Sequence, residues 1–158
     1  MSQANLIEAI TLDDNIAKIS VLEVPDKPGI AFGLFTAIAQ EDIRIESIVQ
    51  NVNRNNVNDI TFTVALEQAE TAKRITEDFA ATVGAREVVS DENVARLSVV
   101  GSAAVADSKV AARFFKALYE IGINIQMIST SEVKISAVID KTLAREGIKQ
   151  VYREFGSV

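Results

Sequence analysis

The chain of 158 residues contains neither cysteine nor histidine. Without cysteine there is no disulfide framework and no thiolate metal site, which is compatible with a cytoplasmic location. Without histidine the chain lacks the commonest general base, the Ser-His and Cys-His nucleophile pairs and the usual zinc or iron ligand. Basic residues are outnumbered, with 16 Lys and Arg against 22 Asp and Glu for a formal charge of -6, so the clustered cations that bind a phosphate backbone are missing. No apolar run approaches the roughly 20 residues needed to cross a bilayer, and Met1-Ser-Gln-Ala-Asn5 is no signal peptide. The seven glycines form neither a P-loop nor a dinucleotide fingerprint. These absences predict a soluble, cytoplasmic protein with no catalytic residues, no metal site, no nucleic-acid partner and no membrane partner.

What is present is a repeat. Ile16-Ala-Lys-Ile-Ser-Val21 returns as Val94-Ala-Arg-Leu-Ser-Val99, and Ile30 to Ile38 returns as Val110 to Leu118. Ile43-Arg-Ile-Glu-Ser-Ile48 returns as Ile123-Asn-Ile-Gln-Met-Ile128. A period of about 80 residues exceeds that of most solenoid units and marks two copies of a small domain. Each copy alone would be marginal, so the copies are expected to share apolar surface with each other or with a second chain.

In the first copy, alternation over Ala17 to Val24 predicts a strand, and Pro25-Asp-Lys-Pro-Gly29 ends it. Ile30, Leu34, Phe35 and Ile38 then follow helical spacing, with Pro28 read as part of the first turn. A strand over Ile43 to Val52, a polar turn from Asn53 to Asn58 and a return strand through Ile60, Phe62 and Val64 form a hairpin. A helix follows, with Ala72, Ile75, Phe79 and Val83 on one face and Gly84 as its cap, then a short strand from Arg86 to Val89. The second copy repeats the order: strand Ala95 to Val100, helix with Val110, Phe114, Phe115, Leu118 and Ile121, cap Gly122, strand Ile123 to Ile128 and strand Val133 to Ile139. Asp140 reads as the N-cap of a last helix carrying Ala144, Ile148, Val151 and Phe155. No sequence then remains for a fourth strand, and the otherwise unexplained segment Leu6 to Leu12 is assigned to that vacant edge. The expected domains are 16–90, and 5–13 plus 91–158, the first inserted into the second.

Candidate chemistry lies at two polar corners. In Asp26-Lys-Pro-Gly29 the helix start offers free N–H groups near Gly29, Ile30 and Ala31 that suit a carboxylate. Asp26 either takes a ligand ammonium or caps the helix. Gln50 and Asn51 close the second strand, as amide donors to a ligand or as ordinary strand-end residues. In the second copy Asn124 interrupts an apolar stretch, and Ser129-Thr-Ser-Glu132 is either a binding corner or a turn that satisfies its own backbone. Glu67, Glu70, Glu77 and Asp78 read as solvated surface, and Phe114, Phe115, Tyr119 and Phe155 as core.

The strings VPDKPGIA, IVQNV, DITFTV and INIQMISTSEVKIS resemble the paired ACT domains of the regulatory region of aspartate kinase (aspartokinase), from about Leu6 to Phe155. The resemblance implies an α+β fold of two ferredoxin-like βαββαβ ACT domains in tandem, the first inserted into the second. It implies binding of lysine and/or threonine as allosteric effectors at ACT-ACT interfaces, feedback inhibition of the pathway, and a homodimer. Carried over residue by residue, the effector contacts would be Asp26, Lys27, Gly29, Ile30, Ala31, Gln50 and Asn51 in the first domain. In the second they would be Asn124, Ile125, Thr130, Ser131 and Glu132. The chain departs from the family where His-Pro-Gly-Val is usual before the second domain's first helix and Asp107-Ser-Lys-Val110 stands instead, which puts a mirrored second site in doubt. Arg44 also stands where the family often has Asn. The kinase domain, with its ATP and Mg, is not in this sequence. The expected partner is therefore an aspartate kinase catalytic domain or alpha subunit, and the chain is read as a separate regulatory subunit or a C-terminal portion, not catalytic by itself. The rival reading is an ACT-type small-molecule sensor of another amino-acid pathway enzyme.

Overall fold

The computed structural model describes residues 7–52, 54–102 and 107–156. Leu6 and Asn53, assigned above to a strand and a turn, lie outside them. The elements are β1 (Ile7–Pro25), α1 (Ile30–Ala39), β2 (Ile45–Val52), β3 (Val57–Ala65), α2 (Ala69–Val83), β4 (Glu87–Gly101), α3 (Ser108–Glu120), β5 (Met127–Ser131), β6 (Lys134–Asp140) and α4 (Ala144–Phe155). They form two compact units, Asn15–Glu92 and Met1–Asp14 with Asn93–Val158, giving an α+β chain with one βαββαβ unit inserted into the other.

In the unit Asn15–Glu92, β3 pairs antiparallel with both β1 and β2, and β1 lies beside β4. Alternation sends Ile19, Val21, Ile60, Phe62 and Val64 to one face, where they pack with Ile30, Leu34 and Ile38 of α1 and Ala69, Ala72 and Ala80 of α2. Phe62 is fully buried, with the Phe35 ring edge-on at 5.5 Å between centroids. α2 ends at Gly84, whose left-handed φ of 74° lets its N–H reach the Ala80 carbonyl.

In the other unit β6 pairs antiparallel with β4 and β5. Leu97, Val99, Ile135 and Ile139 pack with Val110, Phe114 and Leu118 of α3 and Val151 and Phe155 of α4. Ile7 and Ile10 of β1 belong to this same core, and the Tyr152 hydroxyl donates to the Ile10 carbonyl at 3.1 Å. The opposite sheet face is also buried at Arg96, Ser98 and Ser136. There the two serine hydroxyls are 2.7 Å apart, and Arg96 lies 4.0 Å from Asp13.

Several boundaries differ from the sequence reading. The N-terminal segment and the first predicted strand are one strand of 19 residues, and the short strand expected over Arg86 to Val89 begins at Glu87 and continues as a single strand of 15 that runs through Ala95–Val100. Neither junction carries the proline or glycine that would break it. Pro28 precedes Gly29, the N-cap of α1, and so lies outside the helix. The second unit's hairpin strands shift: Ile123–Ile125 are loop, β5 begins at Met127, and Val133 sits in the turn before β6. Ile121 is the C-cap of α3, not a core position, and Gly122 follows it with φ 72°. Asp140 caps the single 3-10 turn Lys141–Leu143 that leads into α4, not α4 itself. Tyr119 is 81% exposed, so it leaves the predicted aromatic core.

Candidate functional site

The Asp26–Gly29 turn is set by the ends of β1 and β3. A bulge between Val21 and Val24 places Glu23 at φ 53°, and the Asp59 carboxylate accepts the Glu23 N–H at 2.9 Å. Past the bulge, Val24 lies opposite Asn58 and Pro25 opposite Val57. The Asp26 N–H then donates to the Asn56 carbonyl at 2.9 Å, and the Lys27 N–H to the Pro25 carbonyl at 3.1 Å. Gly29 has φ 94° with open space where a Cβ would stand, so backbone conformation alone makes this position suit glycine.

Gly29 supplies no side-chain cap, and the first turn of α1 carries no acidic residue. The positive end of the helix therefore faces outward at a turn whose residues Asp26, Lys27, Gly29 and Ala31 are exposed, while Ile30 is buried and anchors the helix. Asp26 does not cap the helix. Its Oδ1 accepts from Asn58 Nδ2 at 3.0 Å instead, so of the two alternatives the capping one is not what the structure shows.

Gln50 and Asn51 are exposed at the end of β2, opposite Ile60 and Asp59. They flank the same end of β3 as the turn does from the other side, one strand away on each flank, or about 10 Å between β2 and β1. The five turn candidates thus lie together, whereas Gln50, opposite Ile60 and so level with Val21, and its neighbour Asn51 lie two strands over and short of the turn.

The other unit is arranged differently. α3 begins two residues earlier than α1 relative to the repeat and is capped by its own chain: Asp107 Oδ1 accepts the Lys109 N–H at 2.8 Å, and the Asp107 carbonyl accepts from Val110 and Ala111. Lys109 stands where α1 has Gly29. Asn124 and Ile125 lie in the loop before β5, whereas Thr130 and Ser131 close β5 opposite Ile135 and Lys134, with Glu132 in the turn. From Ile125 to Ser131 the extended chain covers roughly 20 Å. One small ligand cannot touch both groups within this unit.

Two residues escaped the sequence reading. Asn58, read as the last of a polar turn, is 3% exposed, and its Oδ1 is buried without a hydrogen-bond partner. Asp59, which holds the bulge, was likewise unassigned. The signal for Asn58 was available, because it extends the inward alternation of Ile60, Phe62 and Val64 by one step. A concavity of about 300 Å³ between α1 and α2, lined by Gln40, Glu41, Ile75, Asp78 and Phe79 among others, contains none of the candidates.

The chain is similar to known proteins over nearly its whole length. Residues 18–84 and residues 97–155 each match the ACT domain family. The aspartate kinase of Pseudomonas fluorescens (strain SBW25) is 40% identical over 150 residues, which is 95% of this chain but 36% of that protein. The chain thus spans about a third of the length of the curated relatives it matches. The regulatory subunit of aspartate kinase from Thermus thermophilus, in its ligand-free form, superposes with a TM-score of 0.90 at 33% identity, covering 95% of this chain and 99% of that one. A structure of aspartokinase alpha and beta subunits gives a TM-score of 0.87 at 35% identity, covering 96% of this chain and 99% of the matched one. Near-complete coverage of a stand-alone regulatory subunit, together with partial coverage of whole kinases, identifies this chain as a member of the tandem-ACT regulatory family of aspartate kinases.

Proposed function

We propose that this chain is the feedback sensor of an aspartate kinase: it binds lysine, threonine or both at the Asp26–Ala31 corner and biases an associated catalytic domain or alpha subunit. The observation that supports this reading most is the uncapped, outward-facing start of α1 at Gly29. An amino-acid carboxylate placed there would meet free N–H groups and the helix dipole, worth up to about 2 kcal/mol in a partly buried site. Asp26, whose carboxylate faces the same turn, is suited to the ligand's ammonium. Gln50 and Asn51 lie on the far flank of β3, about 10 Å across the sheet from β1, farther than a threonine side chain reaches, and enter this reading through the family resemblance alone.

The second group, Asn124 and Ile125 with Thr130, Ser131 and Glu132, would serve from a second copy of the chain in a homodimer built by ACT-ACT packing. Kinase chemistry, the ATP-dependent phosphorylation of L-aspartate, would belong to the catalytic part. An effector changes that activity only by binding the inhibited arrangement more tightly than the active one, with tenfold in affinity for each 1.4 kcal/mol or so of difference. Calorimetric titration of the purified chain with lysine, and separately with threonine, tests the reading. Saturable binding of at least one is expected, lost in Gly29→Val. Binding of neither to the folded chain would refute it.

A further inference from the structure

We propose that Asn58 is a positioning residue of the α1 site: by holding the Asp26 carboxylate to β3 it prevents the chain from capping its own helix and keeps that terminus open to a ligand carboxylate. The inference rests on the effector reading above for its functional consequence, but its structural content stands apart from it.

Three observations carry it. Asn58 lies opposite both Val24 and Val52, so it is fixed from two sides beneath the turn. Its Nδ2 donates to Asp26 Oδ1 at 3.0 Å, and Asp26 takes no part in capping α1. The other half of the same amide, Oδ1, is buried without a donor. A buried carbonyl oxygen without a donor is destabilising, and an apolar side chain of similar size would avoid that loss. The residue therefore makes little sense as a stabilising element and good sense as a clamp on Asp26.

The repeat supplies an internal comparison. Aligning Ile60 with Ile135 puts Val133 at the position of Asn58. Valine has no donor with which to hold a carboxylate, and in that unit Asp107, which aligns with Lys27 rather than Asp26, is itself the N-cap and accepts the Lys109 N–H.

The test uses the full chain with Asn58→Val, Asp26→Ala and the double variant, with Asn58→Asp as a second way of releasing Asp26 through like-charge repulsion. Without ligand, amide hydrogen exchange at Ile30 and Ala31 should slow severalfold in N58V and N58D as Asp26 moves onto the helix start. The slowing should vanish in the double variant. N58V should be at least as stable to urea as the parent chain. In titrations with lysine and with threonine, N58V should bind about tenfold more weakly. The losses from N58V and D26A should not multiply, because both act through one carboxylate. Unchanged exchange in both Asn58 variants, or binding losses that multiply, would overturn the proposal. If the parent chain binds neither amino acid, the effector reading falls, and the exchange measurement still decides whether Asn58 withholds Asp26.

Discussion

Gly147 sits in the first turns of α4 and is buried against the sheet. A Cβ built there would lie 2.9 Å from Leu97 Cδ1, 3.2 Å from Ile139 Cδ1 and 3.4 Å from Ile123 Cδ1. The first distance is below any ordinary contact, and Leu97 and Ile139 are fully buried, so neither can swing into solvent. Two terms oppose each other in Gly147→Ala. Helix propensity favours alanine by about 1 kcal/mol, while forcing a methyl into a packed core costs about 1–3 kcal/mol. Overpacking wins, and a net destabilisation of about 1 kcal/mol follows. Gly33→Ala in α1 is the control. Its Cβ would also meet an atom at 2.9 Å, but that atom is the edge of the Phe79 ring, and Phe79 is only half buried. The ring can tilt outward, so propensity should win and the variant should be as stable as the parent or slightly more so. Urea unfolding followed by circular dichroism distinguishes the two. Shortening the obstructing side chain in a Gly147→Ala/Leu97→Val double variant should cost less than the two single effects together. A Gly147→Ala chain more stable than the parent would refute the reasoning, since Leu97 would then have relaxed without loss.

Two further outcomes follow from the second unit. Arg113 Nε donates to Glu154 Oε1 at 2.9 Å and Nη2 to the Glu154 carbonyl at 2.6 Å, with the guanidinium 4.7 Å above the Phe155 ring. Arg113→Lys keeps the charge but loses the planar fork and the stacking, so it should lose ~1 kcal/mol of stability in urea unfolding; a neutral result would show that charge alone matters. The Asp140 carboxyl is held below its ordinary value of 3.8, first by the hydrogen bond from the Thr142 hydroxyl and then by the Thr142 N–H. A carboxyl whose folded pKa is depressed adds stability above the unfolded pKa and loses it as pH falls through the folded value. Asp140→Asn should therefore flatten the acid limb of the stability curve below about pH 4, and an unchanged limb would show that this carboxylate contributes nothing to it.

The fold was legible because both cores follow simple periods. Ile60, Phe62 and Val64 alternate, Val110, Phe114 and Leu118 recur at helical spacing, and all six are buried. The vacant edge of the second unit could also be filled by elimination. What the sequence hid were continuities and short-range geometry. Nothing in Asp13-Asp14-Asn15 announces that a strand runs through it, because three polar residues in a row read as a turn when backbone pairing on both sides is unseen. The loop Ile123–Ile125 reads as strand because Ile123 is buried and Ile125 packs against the core, which satisfies alternation without any ladder hydrogen bonds. At the candidate site the residue types in the turn were legible. The partner that orients Asp26 was not, since Asn58 looked like one of a run of turn asparagines.

The two units bury the same sheet face with the same side-chain pattern, yet they join their helices by different chemistry. Aligned on the cores, Gly33 corresponds to Arg113 and Phe79 to Glu154. In one unit the helices meet through a glycine against an aromatic edge; in the other, through an ion pair with side chains 33% and 16% exposed. The same contrast recurs at the helix starts, Gly29 against Lys109, and beneath them, Asn58 against Val133. All four pairs lie outside the inward-facing alternation shared by the sheet strands, or at its outermost step, where a substitution leaves the sheet intact. A duplicated domain can therefore diverge in what its helix termini will accept without renegotiating its fold. The unit that keeps glycine at the terminus and an amide beneath the turn is the one whose helix start is left open.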